Sequence, residues 1–259
     1  MIHEIIQSKD ENEFKEKSKK YNIIWTEVYR ENRNSIIEYG KDKYNFVFCL
    51  KHIPISNEDF MYINEFPKFG EIITCWRELY IYQQMEHIHK NYNSENYIPL
   101  CNNFISTREG RPYLSLLFPY IPMTLKDIMI FSSFTTFELN SIYIQIFFLA
   151  YYLYQGNIKH NDLHIRNFII NILSEKKNLV FIYQNKKYTL PLQDKILYLI
   201  DFGVSEIEEN KSILFQEWKF FFLKLEELFQ IPPLFSKTSS FSEIFEIILS
   251  FHILEPVLF

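Results

Sequence analysis

From Thr136 to Gln155 the sequence reads TFELNSIYIQIFFLAYYLYQ, apolar nearly all round the wheel a helix would trace. A helix without a polar stripe must lie inside a protein with other elements on every side, so this segment is the expected centre of a helical layer. Its most apolar part, Ile142 to Tyr154, is shorter than the about 20 residues a bilayer requires and contains Gln145, which favours a core helix over a membrane span.

With 259 residues and 47% hydrophobic content, the chain is long enough for one large domain or two lobes with a sizeable core. Residues Ile23 to Tyr29, Ser35 to Tyr39 and Tyr44 to Ile53 are rich in β-branched and aromatic types, with a turn expected at Gly40 to Lys43. Glu71 to His89 then carries Ile72, Cys75, Trp76, Leu79, Tyr82 and Met85 at helical spacing. Two more strands are expected over Tyr97 to Ser106 and Arg111 to Tyr120. After the long helix come a hairpin, Asn178 to Tyr183 with Lys187 to Leu190, and a strand, Lys195 to Ile200. Helices over Ser212 to Phe229 and Ser242 to Phe251 complete the reading. The fold class is α+β: residues 1–121 form a small unit of five strands and one helix, and residues 122–259 a mostly helical one.

Composition excludes several classes of function. A formal charge of -5 gives no global basic field, so no nucleic-acid partner is expected. Cys49, Cys75 and Cys101 form no CxxC pair, so neither a zinc site nor a disulfide framework is encoded, and a reducing compartment fits best. The N-terminal stretch is charged throughout and lacks the apolar core of a signal peptide. The expectation is a soluble intracellular protein, of nucleus or cytoplasm, without membrane partners. KEKSKK at Lys15 to Lys20 is an ambiguous basic run, and no other basic stretch reads as a targeting signal.

Three short strings carry chemistry. In KHNDLHIRNFII, Lys159 to Ile170, Asp162 and Asn167 lie five positions apart between a His and an apolar run. In YLIDFGVSEI, Tyr198 to Ile207, an apolar strand ends in a carboxylate followed by Phe and a Gly that lets the backbone turn away. In VFCLKHI, Val47 to Ile53, a Lys sits inside a strand. Taken singly, the first two read equally well as polar turns and the third as a solvated edge residue.

Together and in this order they resemble the protein-kinase superfamily, whose catalytic loop, metal motif and strand lysine read H-R-D-L-x-x-x-x-N, D-F-G and V-A-I-K. His160, Asn161, Asp162, Leu163 and Asn167 match the first, Asp201, Phe202 and Gly203 the second, and Val47 to Lys51 the third more loosely. The resemblance implies a two-lobed kinase-like fold with a reduced C-terminal region, and ATP and Mg²⁺ as cofactors. It implies that Asp162 orients a substrate hydroxyl and accepts its proton, and that Asn167 and Asp201 hold the metal. Lys51 would meet the α- and β-phosphates, steadied by Glu78, with Glu71 as the other candidate. Phe118, Pro119 and Ile121 would line the hinge that receives adenine, Phe118 gating the back pocket. The implied partner is a protein substrate with a Ser/Thr hydroxyl, such as a histone-like basic peptide. The Leu163-His164 pair and the insertion before the metal motif are similar to the haspin-like branch and to kinases of large DNA viruses.

The chain also departs from the pattern. Thr26 to Asn34 contains no Gly where a phosphate-covering loop would have several, and Asn161 stands where regulated kinases carry Arg. No A-P-E follows Gly203, after which 56 residues remain. These departures keep a pseudokinase scaffold and a small-molecule kinase as alternatives. Among the remaining candidates, His160 is expected to be a backbone anchor, while His87, His89 and His164 are expected at the surface or in packing. Trp218, Phe221, Phe222 and Leu225 are expected in the core, and Glu208-Glu209 and Glu226-Glu227 on solvated faces.

Overall fold

The computed structural model of the chain describes residues 8–31, 35–42, 45–57, 59, 75–92, 94–131 and 134–256. It is a mixed α+β structure that divides into two compact units, Met1–Gln83 with Ile98–Tyr120 and Gln84–Tyr97 with Ile121–Phe259. The division falls within one residue of the expected boundary, except that the latter part of one helix and the segment after it belong to the second unit.

The first unit contains α1 (Glu11–Lys20), β1 (Ile24–Glu31), β2 (Ser35–Lys41), β3 (Val47–Pro54), the start of α2 (Cys75–Tyr92), β4 (Asn102–Arg108) and β5 (Arg111–Pro119). Its antiparallel sheet runs β1-β2-β3-β5-β4. Strand alternation sorts β3 cleanly: Phe48, Leu50 and His52 are buried on one face, and Cys49 and Lys51 point to the other. Phe48 and Leu50 join Phe14, Ile23, Phe104 and Leu117 in a core beneath α1. On the opposite face α2 packs through Tyr82, whose ring lies 4.8 Å from that of Phe118.

Two expectations are corrected here. The sheet carries a second helix, α1, which the charged N-terminal sequence did not announce. Its Asp10 side chain caps Glu13 N–H, acidic residues fill its first turn and lysines its last, so local electrostatics make it a helix with little help from apolar residues. Gly40 is a strand residue rather than a turn residue: a Cβ there would lie 2.6 Å from the Trp25 ring, and the turn begins at Asp42, whose carboxylate accepts Phe46 N–H at 2.8 Å. The expected helix start at Glu71 lies outside the described residues.

The second unit contains the rest of α2, then α3 (Leu125–Phe131), α4 (Thr136–Gln155), β6 (Ile158–Lys159), β7 (Phe168–Tyr183), β8 (Lys186–Leu199), β9 (Glu206–Ile207), α5 (Lys211–Phe229), α6 (Phe241–Leu249) and β10 (Glu255–Pro256). Helix α4 is the apolar segment of the opening paragraph, started by a Thr135/Glu138 capping box and buried without interruption from Ser141 to Leu153. Aromatic rings close around it: Phe148 stacks on Phe181 at 4.1 Å with planes 5° apart. Trp218, Phe221, Phe222 and Leu225 are buried as expected. Glu226 is not solvated. It is 4% exposed and accepts the Leu234 and Phe235 amides, closing the chain after α5.

The expected short hairpin and separate strand are one ribbon. β7 and β8 pair antiparallel from Phe168↔Leu199 to Tyr183↔Lys186, with β10 on the outer side of β8. The turn is two residues, Gln184 and Asn185, both left-handed with φ of 47° and 63°. That backbone matches the right-handed twist of the strands it joins. Gln145, the polar residue in the apolar stretch of α4, fixes this ribbon to the helix. Its side-chain carbonyl accepts Leu197 N–H at 2.8 Å and Asn96 Nδ2 at 2.8 Å, and its amide donates to the Lys195 carbonyl at 3.0 Å. No helix among the described residues is long and apolar enough to cross a membrane.

Replacing Gln145 with Leu keeps the volume and adds apolar surface, but strands a buried N–H and a buried carbonyl of β8. Urea unfolding is expected to show a loss of about 1–3 kcal/mol, the typical cost of an unsatisfied buried group. Unchanged stability would mean the three bonds do not hold the ribbon.

Candidate active site

The segment from His160 to Asn167 is held from inside the second unit by a carboxylate the sequence reading passed over. Glu217, on α5, accepts the backbone N–H groups of His160 at 3.1 Å and Asn161 at 2.6 Å. Burial pushes its carboxyl pKa up, while those two amides favour the charged form and work in the other direction. A signal was present: Glu217 lies beside Trp218, in the stripe of α5 that also carries Leu214 and Phe221. A carboxylate there needs donors, and the loop's own backbone supplies them.

Further bonds stitch the loop to the strand that ends before Asp201. His160 is fully buried, donates from Nε2 to the Ile200 carbonyl at 3.1 Å and accepts Asp162 N–H on Nδ1 at 3.3 Å. Burial lowers its pKa to about 4, so it is a neutral anchor, and its ring lies 5.1 Å from that of Phe202. Ile200 N–H donates to the Asn167 carbonyl at 2.9 Å, and Ser205 Oγ to the His160 carbonyl at 3.0 Å. Asn161 adopts a left-handed backbone, φ 64°, and its side-chain amide donates to the Val204 carbonyl at 3.1 Å. Asp201 also lies in the left-handed region, φ 64°, a conformation Asp tolerates better than most residues.

Within this frame the two residues singled out first meet. Asn167, 7% exposed, donates its side-chain amide to the Asp162 carbonyl at 3.0 Å and to Asp162 Oδ2 at 3.3 Å. His164 Nδ1 accepts Arg166 N–H at 3.2 Å, which leaves its proton on Nε2, 3.3 Å from the same Asp162 Oδ2. His164 is therefore not only a surface residue, and both of these side-chain contacts fall on Asp162 Oδ2.

In the first unit Lys51 Nζ lies 2.9 Å from Glu78 Oε1, with the two side chains 13% and 4% exposed. The solvated-edge reading of Lys51 fails, because β3 is an interior strand. The solvated-face reading of Glu78 fails on its burial. Glu71 lies outside the described residues. Phe118 and Pro119 end β5, where Tyr120 N–H donates to the Val47 carbonyl at 3.0 Å, and Ile121 opens the second unit. Of the Gly-free stretch expected to cover phosphates, Asn32 to Asn34 lie outside the described residues.

Among the described residues no three His, Cys, Asp or Glu side chains gather as a metal cluster. The donor set suits a different kind of metal site. Asn167 has both bonds of its amide nitrogen directed at Asp162, and its side-chain oxygen is a neutral hard donor of the kind that, with the Asp201 carboxylate, could hold a metal. One carboxylate and one amide oxygen match an ion such as Mg²⁺, which completes its shell with water and phosphate oxygens. No protein-family model matches the chain, and no curated protein matches it.

Removing the carboxylate in Glu217→Ala should free the two loop amides. Their hydrogen exchange is expected to quicken by about tenfold or more, since bonds to a charged acceptor contribute about 1.5–3 kcal/mol. Glu217→Gln, which keeps one acceptor oxygen, should fall between. Unchanged exchange at residues 160 and 161 would remove Glu217 as the anchor.

Proposed function

We propose that the chain is a phosphoryl-transfer enzyme of the protein-kinase type, moving the γ-phosphoryl group of ATP to a Ser/Thr hydroxyl of a protein. What carries the reading is the loop in which Asp162 and Asn167 are bonded to each other and, through Asn167 and Ile200, to the backbone at Asp201. The buried Lys51–Glu78 pair supports it independently, because a desolvated ammonium oriented by one carboxylate is the point charge that phosphate oxygens require.

In this reading Asp162 Oδ2 is fixed by Asn167 and His164, so Oδ1 receives the hydroxyl hydrogen and turns the oxygen's lone pair toward phosphorus. Lys51 holds phosphate oxygens. Asn167 Oδ1 and the Asp201 carboxylate would hold Mg²⁺, which when bound offsets phosphate charge and orients the group in transfer. Positioning does most of the work, and the Glu217-anchored backbone provides it.

The Asp162-Leu163-His164 string and the long β7–β8 ribbon before Asp201 favour the haspin-like branch, with a basic peptide as substrate and an intracellular site of action. A small-molecule hydroxyl is the second reading. It is kept open by the sequence after Gly203, where no A-P-E string marks the peptide-docking segment of the family pattern.

Calorimetry with ATP, with and without Mg²⁺, and label transfer from ATP to histones and to a panel of small alcohols test the proposal together. Expected are Mg²⁺-dependent binding that Asp201→Ala abolishes, and transfer that Asp162→Asn lowers by about 10²- to 10⁴-fold while binding persists. Metal-independent binding, or full turnover in Asp162→Asn, would overturn it. Label on alcohols alone would move the substrate to the second reading.

A further inference from the structure

The first unit holds a cavity of about 290 Å³ between α1 and the outer face of the sheet, remote in register from Lys51, which β3 turns to the opposite face. Its floor is apolar, formed by Phe14, Trp25, Leu50 and Phe104. Its rim is polar, and the bonding of that rim determines what the cavity can take.

Glu38 is bound by Arg108 at 2.6 Å, and Arg108 also donates to His52 Nε2 at 2.8 Å, so His52 carries its proton on Nδ1 and faces Ser115 Oγ at 2.8 Å. Burial keeps this imidazole neutral by lowering its pKa, although Glu38 pulls the other way. Glu11 is paired with Lys15 and accepts Thr107 N–H at 2.9 Å. Both oxygens of Glu11, Oε2 of Glu38 and both ring nitrogens of His52 are thus engaged. Ser18 Oγ, a hydroxyl on a residue 5% exposed that can donate or accept, and Arg108 Nε, a donor, are buried without a partner, and Lys19 has no carboxylate against it among the described residues. With Glu11–Lys15 and Glu38–Arg108 cancelling, one positive charge is left over.

We infer that this cavity is a binding site for a small amphipathic monoanion, a carboxylic acid carrying a single ring or short branched chain. The acid head would accept from Ser18, Arg108 and Lys19, and the apolar body would lie on Phe14, Trp25 and Phe104. Unpartnered buried donors are costly in a folded protein, and an acceptor that also fills the adjoining apolar volume relieves that cost. The volume lies at the lower limit of ordinary ligand pockets, about 300–1,000 Å³, which restricts the body to one ring.

The probe is 3-phenylpropionate, titrated into the full chain by calorimetry, with 3-phenylpropanamide as the uncharged control. Expected are saturable binding of the acid, at least tenfold weaker binding of the amide, and loss of most of that preference in Lys19→Gln. Ser18→Leu, which places an apolar side chain in the cavity, should abolish binding. The exposed Lys19 variant keeps the inference falsifiable if Ser18→Leu does not fold. Absence of saturable binding, equal affinity for acid and amide, or an unaltered preference in Lys19→Gln would overturn it.

Discussion

A single half-buried carboxylate holds the candidate active site in shape. Glu217 reaches from α5 to two consecutive backbone amides, and both of those amides belong to residues whose conformations the loop depends on. Asn161 is left-handed, and His160 is buried where a charged ring would be costly. Without Glu217 the His160 and Asn161 amides would lose their protein acceptor, and the turn that presents Asp162 would lose its support. Helix α5 can impose this because its other inward residues, among them Trp218, Phe221 and Phe222, are themselves completely enclosed.

From that point order spreads along the backbone. His160 transmits it to Ile200, Ile200 to Asn167, and Asn167 to Asp162. Gln145 performs the equivalent task from α4, holding β8 by Leu197 N–H and the Lys195 carbonyl. Gln145 in the apolar α4 and Glu217 on α5 therefore fix the strand end and the loop that carry Asp162, Asn167 and Asp201. In the first unit the same economy appears in β3, where the period-two alternation gives one strand a core face and a charged face with Lys51 against Glu78.

Much of this was legible from residue patterns, and the exceptions have physical causes. Helix α4 was legible because its apolar character has no competing period, and Lys51 was legible as a Lys inside an apolar strand. Helix α1 was not, since it is stabilised by capping and charge placement and touches the core mainly through Phe14. The ribbon of β7 and β8 was divided in the reading because Ser174 to Asn178 is polar and its register shifts there, between Ile172 and Leu179. Glu217 and Glu226 were misjudged or missed for one shared reason. A carboxylate in a helix reads as solvated until the backbone amides it accepts from are brought next to it by the fold.

The proposed phosphoryl transfer requires a divalent metal at Asn167 and Asp201, and the most direct test looks for the metal at those residues. Mn²⁺ added with a non-hydrolysable ATP analogue can be followed by paramagnetic broadening in nuclear magnetic resonance spectra. Broadening centred on the Asn167 side-chain amide and on Asp201, retained in Asp162→Asn and lost in Asp201→Ala, is the expected result. Broadening centred elsewhere, or none at either residue, would contradict the assignment of this loop to phosphoryl transfer.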